Sequence, residues 1–345
     1  MTQPFDLRLK GVPAPVEVKS ARFTETFDNA NDGFTASIIC DRTNQPELYQ
    51  AITAMQATPA QVSLNGQLKL TGKLTRTNPK KSATETVYDI AGWSNTFNFV
   101  DSELVPPYAI ENKTIHSLAI IVGRQTNTKV NHTGPNLDKF DRVTVTPGMT
   151  GFQFIAPLAQ QRDHVLSSTA DGILLLQQAD ITQKPVGTIE EDSEFSLFQE
   201  EFKASFDYRR RFRTYKVVSR RPSGSGEATA TDKNIKDPRH KLIFANDQIV
   251  GGLSAVAEYQ LKQRIIEALT MQIPVFGWNA PDKKLWKSGT LITIISPTIF
   301  IPDGFTYFIR AVEFILTETK KMAVLSLIPK EVYTSLPVIE PWFPT

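Results

Sequence analysis

The chain is poor in the residues on which redox and metal chemistry is usually built. It has one cysteine, Cys40, among 345 residues, which excludes an internal disulfide framework and fits synthesis in a reducing cytoplasm. Its four histidines, His116, His132, His164 and His240, share no metal-ligand spacing, so neither a metal site nor a cofactor is expected. No window approaches ~18 apolar residues, and MTQPFDLRLKG at the N-terminus has no apolar signal core, so neither stable membrane insertion nor cleavable export is expected. Excess charge is missing too: 38 Lys and Arg face 36 Asp and Glu, and bulk charge selects no polyanionic partner. There is no Gly-x-Ser-x-Gly elbow, and Gly148 to Gly151 and Gly251-Gly252 lack phosphate-loop spacing and read as turns or helix entries.

What the chain does have is phenylalanine, 21 against 5 methionines, which favours β-rich packing. Its length calls for two or three domains. Short alternating runs predict strands at Asp6–Leu9, Pro15–Lys19, Arg22–Phe27 and Phe34–Cys40, then a helix over Pro46–Met55. Val62–Leu64 and Leu68–Leu74 form a hairpin, with a three-residue loop Asn65 to Gln67 preferred because a two-residue turn would put Leu64 and Leu68 on opposite faces. A second hairpin is tipped by Pro79-Lys80-Lys81. After Val105-Pro106-Pro107 the pattern changes to an α/β piece, with helices over Ser117–Val122 and Met149–Arg162 and a β-hairpin around Thr169–Gly172. Leu253 to Thr270 is the strongest helix, with Pro274 as its stop, and the rest to Leu327 is strand and turn, its last hairpin tipped by Lys320-Lys321.

Two stretches share a pattern. Phe23 to Ile39, FTETFDNANDGFTASII, and Phe202 to Val218, FKASFDYRRRFRTYKVV, both read Phe-x-x-Ser/Thr-Phe-Asp, a turn-like insert, then a Phe opening an alternating run. A hairpin in each half predicts two similar domains. The expected fold is mainly β with an α/β insert: two similar antiparallel β-barrel domains, residues 1–104 and 188–222 with 271–332, a middle α/β domain of 105–187 with 223–270, and a C-terminal arm, 333–345, laid on a neighbour.

The second copy, ASFDYRRRFRTYKV, resembles the strand signature of baseplate hub proteins of contractile phage tails, the Mu-type hub and late control protein D group. Gly92-Trp93-Ser94 with Phe99-Val100-Asp101-Ser102, Val145 to Ala159 (VTPGMTGFQFIAPLA) and Val275 to Leu291 (VFGWNAPDKKLWKSGTL) are similar to further segments of that family, in the same order. The resemblance implies a non-enzymatic hub: a homotrimer whose six barrels join the six-fold tail tube protein to the trimeric central spike protein. It also implies contact with other baseplate proteins, DNA only as cargo in the channel, assembly in the host cytoplasm and a final place in the virion. Arg209-Arg210-Arg211 departs from the family's small polar residues. Hubs of R-type bacteriocins and type VI secretion are built from similar parts, and the chain stops at Thr345 without a spike β-helix or lysozyme-like region.

Alternation over Tyr208 to Lys216 places Arg209, Arg211 and Arg213 on one face, as an interface, a channel lining or a single-strand contact. With Lys80, Lys81, Lys320 and Lys321 these are the candidate interface or channel residues. Glu190-Glu191-Asp192, Glu194 and Glu200-Glu201 read as a solvated acidic loop, with a metal or acid/base cluster as the alternative. Asp163-His164 beside Ser167-Ser168 leaves a cell-wall hydrolase open, and the middle domain's outline leaves a peptidoglycan-binding module open.

Overall fold

The computed structural model describes residues 3–53, 56–83, 85–135, 139–191, 203–219, 226–245 and 252–343. The first part is antiparallel: β1 (Phe5–Leu9), β2 (Ser20–Thr26), β3 (Gly33–Ile39), helix α1 (Pro46–Ala51), β4 (Pro59–Leu64), β5 (Gln67–Lys81) and β6 (Thr86–Ser94). In β1, Phe5, Leu7 and Leu9 are buried while Asp6 and Arg8 face outward, the period of two that a half-buried strand imposes. Pro15–Lys19 is not a strand; only Val16 bridges, to Leu7. The β4–β5 turn has two residues, Asn65 and Gly66, both at positive φ, and pairs Leu64 with Gln67. The face conflict that favoured a longer loop is resolved by a bulge. Lys69 is taken up as the extra residue, so Val62 pairs with Leu70 and both are buried. Lys69 is thereby turned inward, where its Nζ meets Glu25 at 2.9 Å.

The middle of the chain contains α2 (Phe97–Asp101), β7 (Ala109–Lys113), α3 (Ile115–Gln125), β8 (Val130–His132), β9 (Phe140–Thr144), α4 (Gly151–Gln160), β10 (His164–Ser168) and β11 (Leu174–Gln178). Thr114 caps α3 by accepting from the Ser117 N–H. At α4, Thr150 and Gln153 exchange side-chain and backbone bonds in a capping box, so the helix starts at Gly151 and Pro157 falls inside it. Phe154, Ile155, Leu158 and Ala159 of α4 pack against Ile115, Leu118 and Val122 of α3 in a core of their own. Two small sheets complete this unit, β7–β9 and β10–β11–β8.

The remainder runs β12 (Thr188–Glu190), β13 (Lys203–Phe206), β14 (Thr214–Ser219), β15 (Glu227–Thr231), β16 (His240–Ala245), α5 (Gly252–Ala268), β17 (Leu269–Phe276), β18 (Leu291–Ser296), β19 (Ile301–Leu316) and β20 (Lys321–Pro329). The protein is mainly β, as expected, but the described strands of the two halves close into no barrel. They form one twelve-stranded sheet in the order β1-β4-β5-β6-β3-β2-β19-β20-β17-β13, with β18 on β19 and β12 on β18. The joint is β19. Its N-terminal half pairs with β18 and its C-terminal half with β2, and a register shift at Arg310 separates the two. Across the joint Phe23 pairs with Phe314, their rings 6.1 Å apart, and residues from both halves share one core.

Three expectations fail here. The pseudo-repeat is a hairpin only in its first copy, where β2 pairs with β3. In the second copy β13 pairs with β17, whereas β14 pairs with β15 and β16 in a separate three-stranded sheet, outside the barrel that 188–222 was expected to join. Phe202 and residues 220–225 lie outside the described residues. The chain leaves the large sheet because Asp207 accepts from the Arg209 N–H and starts a 3-10 turn over Tyr208–Arg210. Next, α5 packs chiefly on β14 and β15 through Ala257, Leu261 and Ile265. It ends at Ala268, near the expected Thr270, but Pro274 is not its stop: Pro274 lies inside β17 opposite Val324, beyond the four residues of β17 that pair with β13. Finally, the tail folds back on its own chain. The Trp342 indole donates to the Ile299 carbonyl at 3.0 Å, and Lys262 Nζ donates to the carbonyls of Thr334 and Leu336.

Candidate assembly surfaces

The basic hairpin tips converge. The β5–β6 tip and the β19–β20 tip face one groove of about 630 Å³, lined by Lys19, Lys80, Lys81, Glu85, Thr317 and Glu318. Its charges are mostly paired. Lys80 meets Asp89, whose carboxyl is held below its usual range first by that bond and then by the Ser37 hydroxyl. Lys19 donates to both oxygens of Glu85, which raises its pKa. Lys81 is exposed, and the Lys320 N–H donates to Thr317. Lys321 turns away: its Nζ lies 4.6 Å from the centre of the Trp278 ring and donates to Asn65, and burial pushes its pKa down. It fastens the last hairpin to the β4–β5 turn.

The arginines do not share a strand face. Arg209 is exposed and bonded to Asp207. Arg213 donates to the Lys236 carbonyl at 2.9 Å. Arg211 is buried, its guanidinium held by Asp232 at 2.8 and 2.9 Å and by Glu340 of the tail at 2.7 and 2.8 Å. It therefore lines neither a channel nor an interface, since both of its carboxylates come from its own chain. Arg239 completes the cluster, stacked over the Tyr208 and Phe212 rings and donating to the carbonyls of Tyr208 and Arg209.

The features best suited to docking are ones that sequence patterning did not single out. Among the described strands the sheet path ends at β1, where Val16 bridges Leu7, and at β13, and an edge strand presents N–H and C=O groups that a neighbour can pair. Beside β13 is an apolar groove of about 560 Å³ lined by Phe206, Tyr208, Ile265, Phe300, Pro341 and Trp342. Phe300 is 67 % exposed, and Phe206 packs edge-on to Trp342 at 4.7 Å. Among the described residues, an apolar patch beside an edge strand is suited to docking. Only tertiary packing assembles it, because its parts are scattered from 206 to 342.

The hydrolase constellation is not assembled. His164 Nδ1 donates to the Arg162 carbonyl, Ser167 accepts from Gln177, and Ser168 donates to Asp32. In the acidic run, Glu191 is tied to Ser296 and Thr298, which hold its carboxyl below its usual range. Asp192, Glu194, Glu200 and Glu201 lie outside the described residues.

Asp32 ties the first sheet to the middle unit, accepting from the Thr26 N–H at 3.0 Å and from the Ser168 hydroxyl at 2.7 Å. Burial, with nearby Glu25 adding to it, raises its pKa to about 8. Because the folded value exceeds the unfolded one, its contribution is full below pH ~3.9 and is lost as pH rises through about 8. Urea unfolding should therefore show stability falling from about pH 4 to about pH 8, and Asp32→Asn should flatten that slope, its Oδ1 still accepting from the Thr26 N–H and its Nδ2 donating instead to the Ser168 hydroxyl oxygen. An unchanged slope in the variant would show that Asp32 is ionised in the fold.

No family model matches the sequence, and no curated protein matches it. Solved structures do. The 43 kDa tail protein of prophage MuSo2 from Shewanella oneidensis superposes with a TM-score of 0.81 at 20 % identity, covering 95 % of this chain and 99 % of that one. A tail protein from Neisseria meningitidis gives 0.79 at 19 % identity, covering 96 % and 97 %. A type VI secretion component from Escherichia coli, described as similar to bacteriophage T4 tail proteins, gives 0.58 at 12 %, covering 96 % and 79 %. Over nearly its whole length, then, this chain has the fold of those tail proteins.

Proposed function

We propose that the protein is a structural hub of a contractile tail, with no catalytic set of its own. The observation that carries this reading is the single sheet that joins two β halves at β19. Three such chains present six β halves, so a ring of three matches a six-fold tube on one side and a three-fold spike on the other. The likeness of the fold to tail proteins over 99 % and 97 % of their lengths supports the same reading. Its partners are then a tail tube protein, a central spike protein and neighbouring baseplate proteins, with DNA only passing through, and its place is the virion baseplate. The fold of the type VI secretion component gives the second reading, the equivalent hub of a related injection system.

The test is the mass of the full chain by light scattering, with negative-stain images. A trimer seen as a ring of near six-fold appearance is expected, and Phe206→Glu, which places a charge on the β13 edge, should shift it to monomer. A chain that is monomeric at every concentration and fails to trimerise with tube or spike protein overturns the reading. Saturable binding of peptidoglycan fragments, or their turnover, would favour the glycan-binding or hydrolase alternatives.

A further inference from the structure

Three of the four histidines, separated in sequence, meet at one end of the middle unit. The rings of His116 and His132 lie 5.1 Å apart, and those of His132 and His164 lie 5.4 Å apart. The His132 and His164 Nε2 atoms are 3.4 Å apart. His164 is fully buried, and its Nδ1–H is committed to the Arg162 carbonyl at 2.6 Å, so its Nε2 carries a lone pair directed at His132. A carbonyl behind the distal nitrogen is the arrangement that orients metal-bound imidazoles.

Gly134 passes beside the His132 and His164 pair at φ +123°, and a Cβ on that residue would sit 3.3 Å from His164 Nε2, 3.9 Å from His132 Nε2 and 3.8 Å from Gln178 Oε1. Three donor atoms thus converge, among the described residues, on the position that a side chain at Gly134 would take. An ion about 2.1 Å from both nitrogens would subtend an angle of about 108°, close to the tetrahedral value. That geometry also requires ring centres about 5.3 Å apart, near the observed spacing. His132 is half-buried and Gln178 exposed, which leaves a path for entry.

We propose that His132 and His164, with Gln178 as third donor and water as the fourth, form a site for a zinc-class divalent cation. The ion would fasten β8 to the β10–β11 hairpin. Burial lowers the pKa of both imidazoles. The alternative for the same geometry is one imidazole donating its N–H to the other, with no metal affinity.

The full-length protein titrated with zinc in a calorimeter, and with cobalt by its visible absorption, distinguishes the two. One ion per chain is expected, with a melting temperature raised by zinc and returned by chelator. His132→Gln should weaken binding by more than about tenfold, whereas His116→Ala and His240→Ala should leave it unchanged. His132→Gln is the decisive variant because its ring is half-exposed and its loss leaves the core filled, whereas His164→Gln risks the fold. No saturable binding by the wild-type chain, or equal binding by His132→Gln, overturns the proposal.

Discussion

Arg211→Ala is expected to lower folding stability by about 3–5 kcal/mol. The loss would not come from the arginine's attraction alone. Asp232 and Glu340 are both buried, and each is held on the guanidinium by charge-assisted bonds of 2.7–2.9 Å. Removing the cation leaves two carboxylates with no counter-charge in a site that excludes water. Asn234 also donates to Glu340, so the loosened tail would give up that bond as well. Arg211→Lys should recover only part of the loss, because an ammonium cannot make the planar paired contacts to both acids. Urea unfolding midpoints measure both variants, and limited proteolysis after Tyr333 reports release of the tail. An Arg211→Ala protein within about 1 kcal/mol of wild type would mean that the carboxylates reach solvent.

Phe314→Ala should be as damaging, at about 3–5 kcal/mol, for a different reason. Phe314 is fully buried at the joint, stacked on Phe23 of the first half and edge-on to Trp278 of the second at 5.9 Å. Truncation leaves a cavity between two halves that are bound by one run of strand pairs, β2 with β19. The wild-type sheet should unfold in one transition. The variant should unfold earlier, with β2 and β19 amides losing hydrogen-exchange protection before the sheet interiors. A wild-type chain whose halves unfold in separate steps would mean that the shared core does not couple them.

Local chemistry was readable. The alternation of β1 and the helices over α4 and α5 each rest on contacts within a few residues, and each stands within a few residues of where the pattern put it. The sequence favoured a three-residue loop over the two-residue Asn65-Gly66 turn that forms, because the bulge at Lys69 that reconciles the faces depends on Glu25 waiting inside. The candidate cations fared unevenly. Lys80 and Lys81 do border a groove, whereas Arg211 and Lys321 are held within the chain by partners 129 and 256 residues away. The histidine pair was hidden for the same reason, its members 32 residues apart on different strands.

By itself, then, the sequence determined a β-rich chain with a helical insert, because strand and helix periods are local properties of side-chain direction. Only the tertiary structure decided which strands pair. The second Phe-x-x-Ser-Phe-Asp copy looks like a hairpin arm, yet Asp207 turns the chain out of the sheet and Arg211 draws it toward the tail. Pairing partners, buried counter-charges and the free edges of a sheet are set by segments far apart in the chain, and no local pattern encodes them.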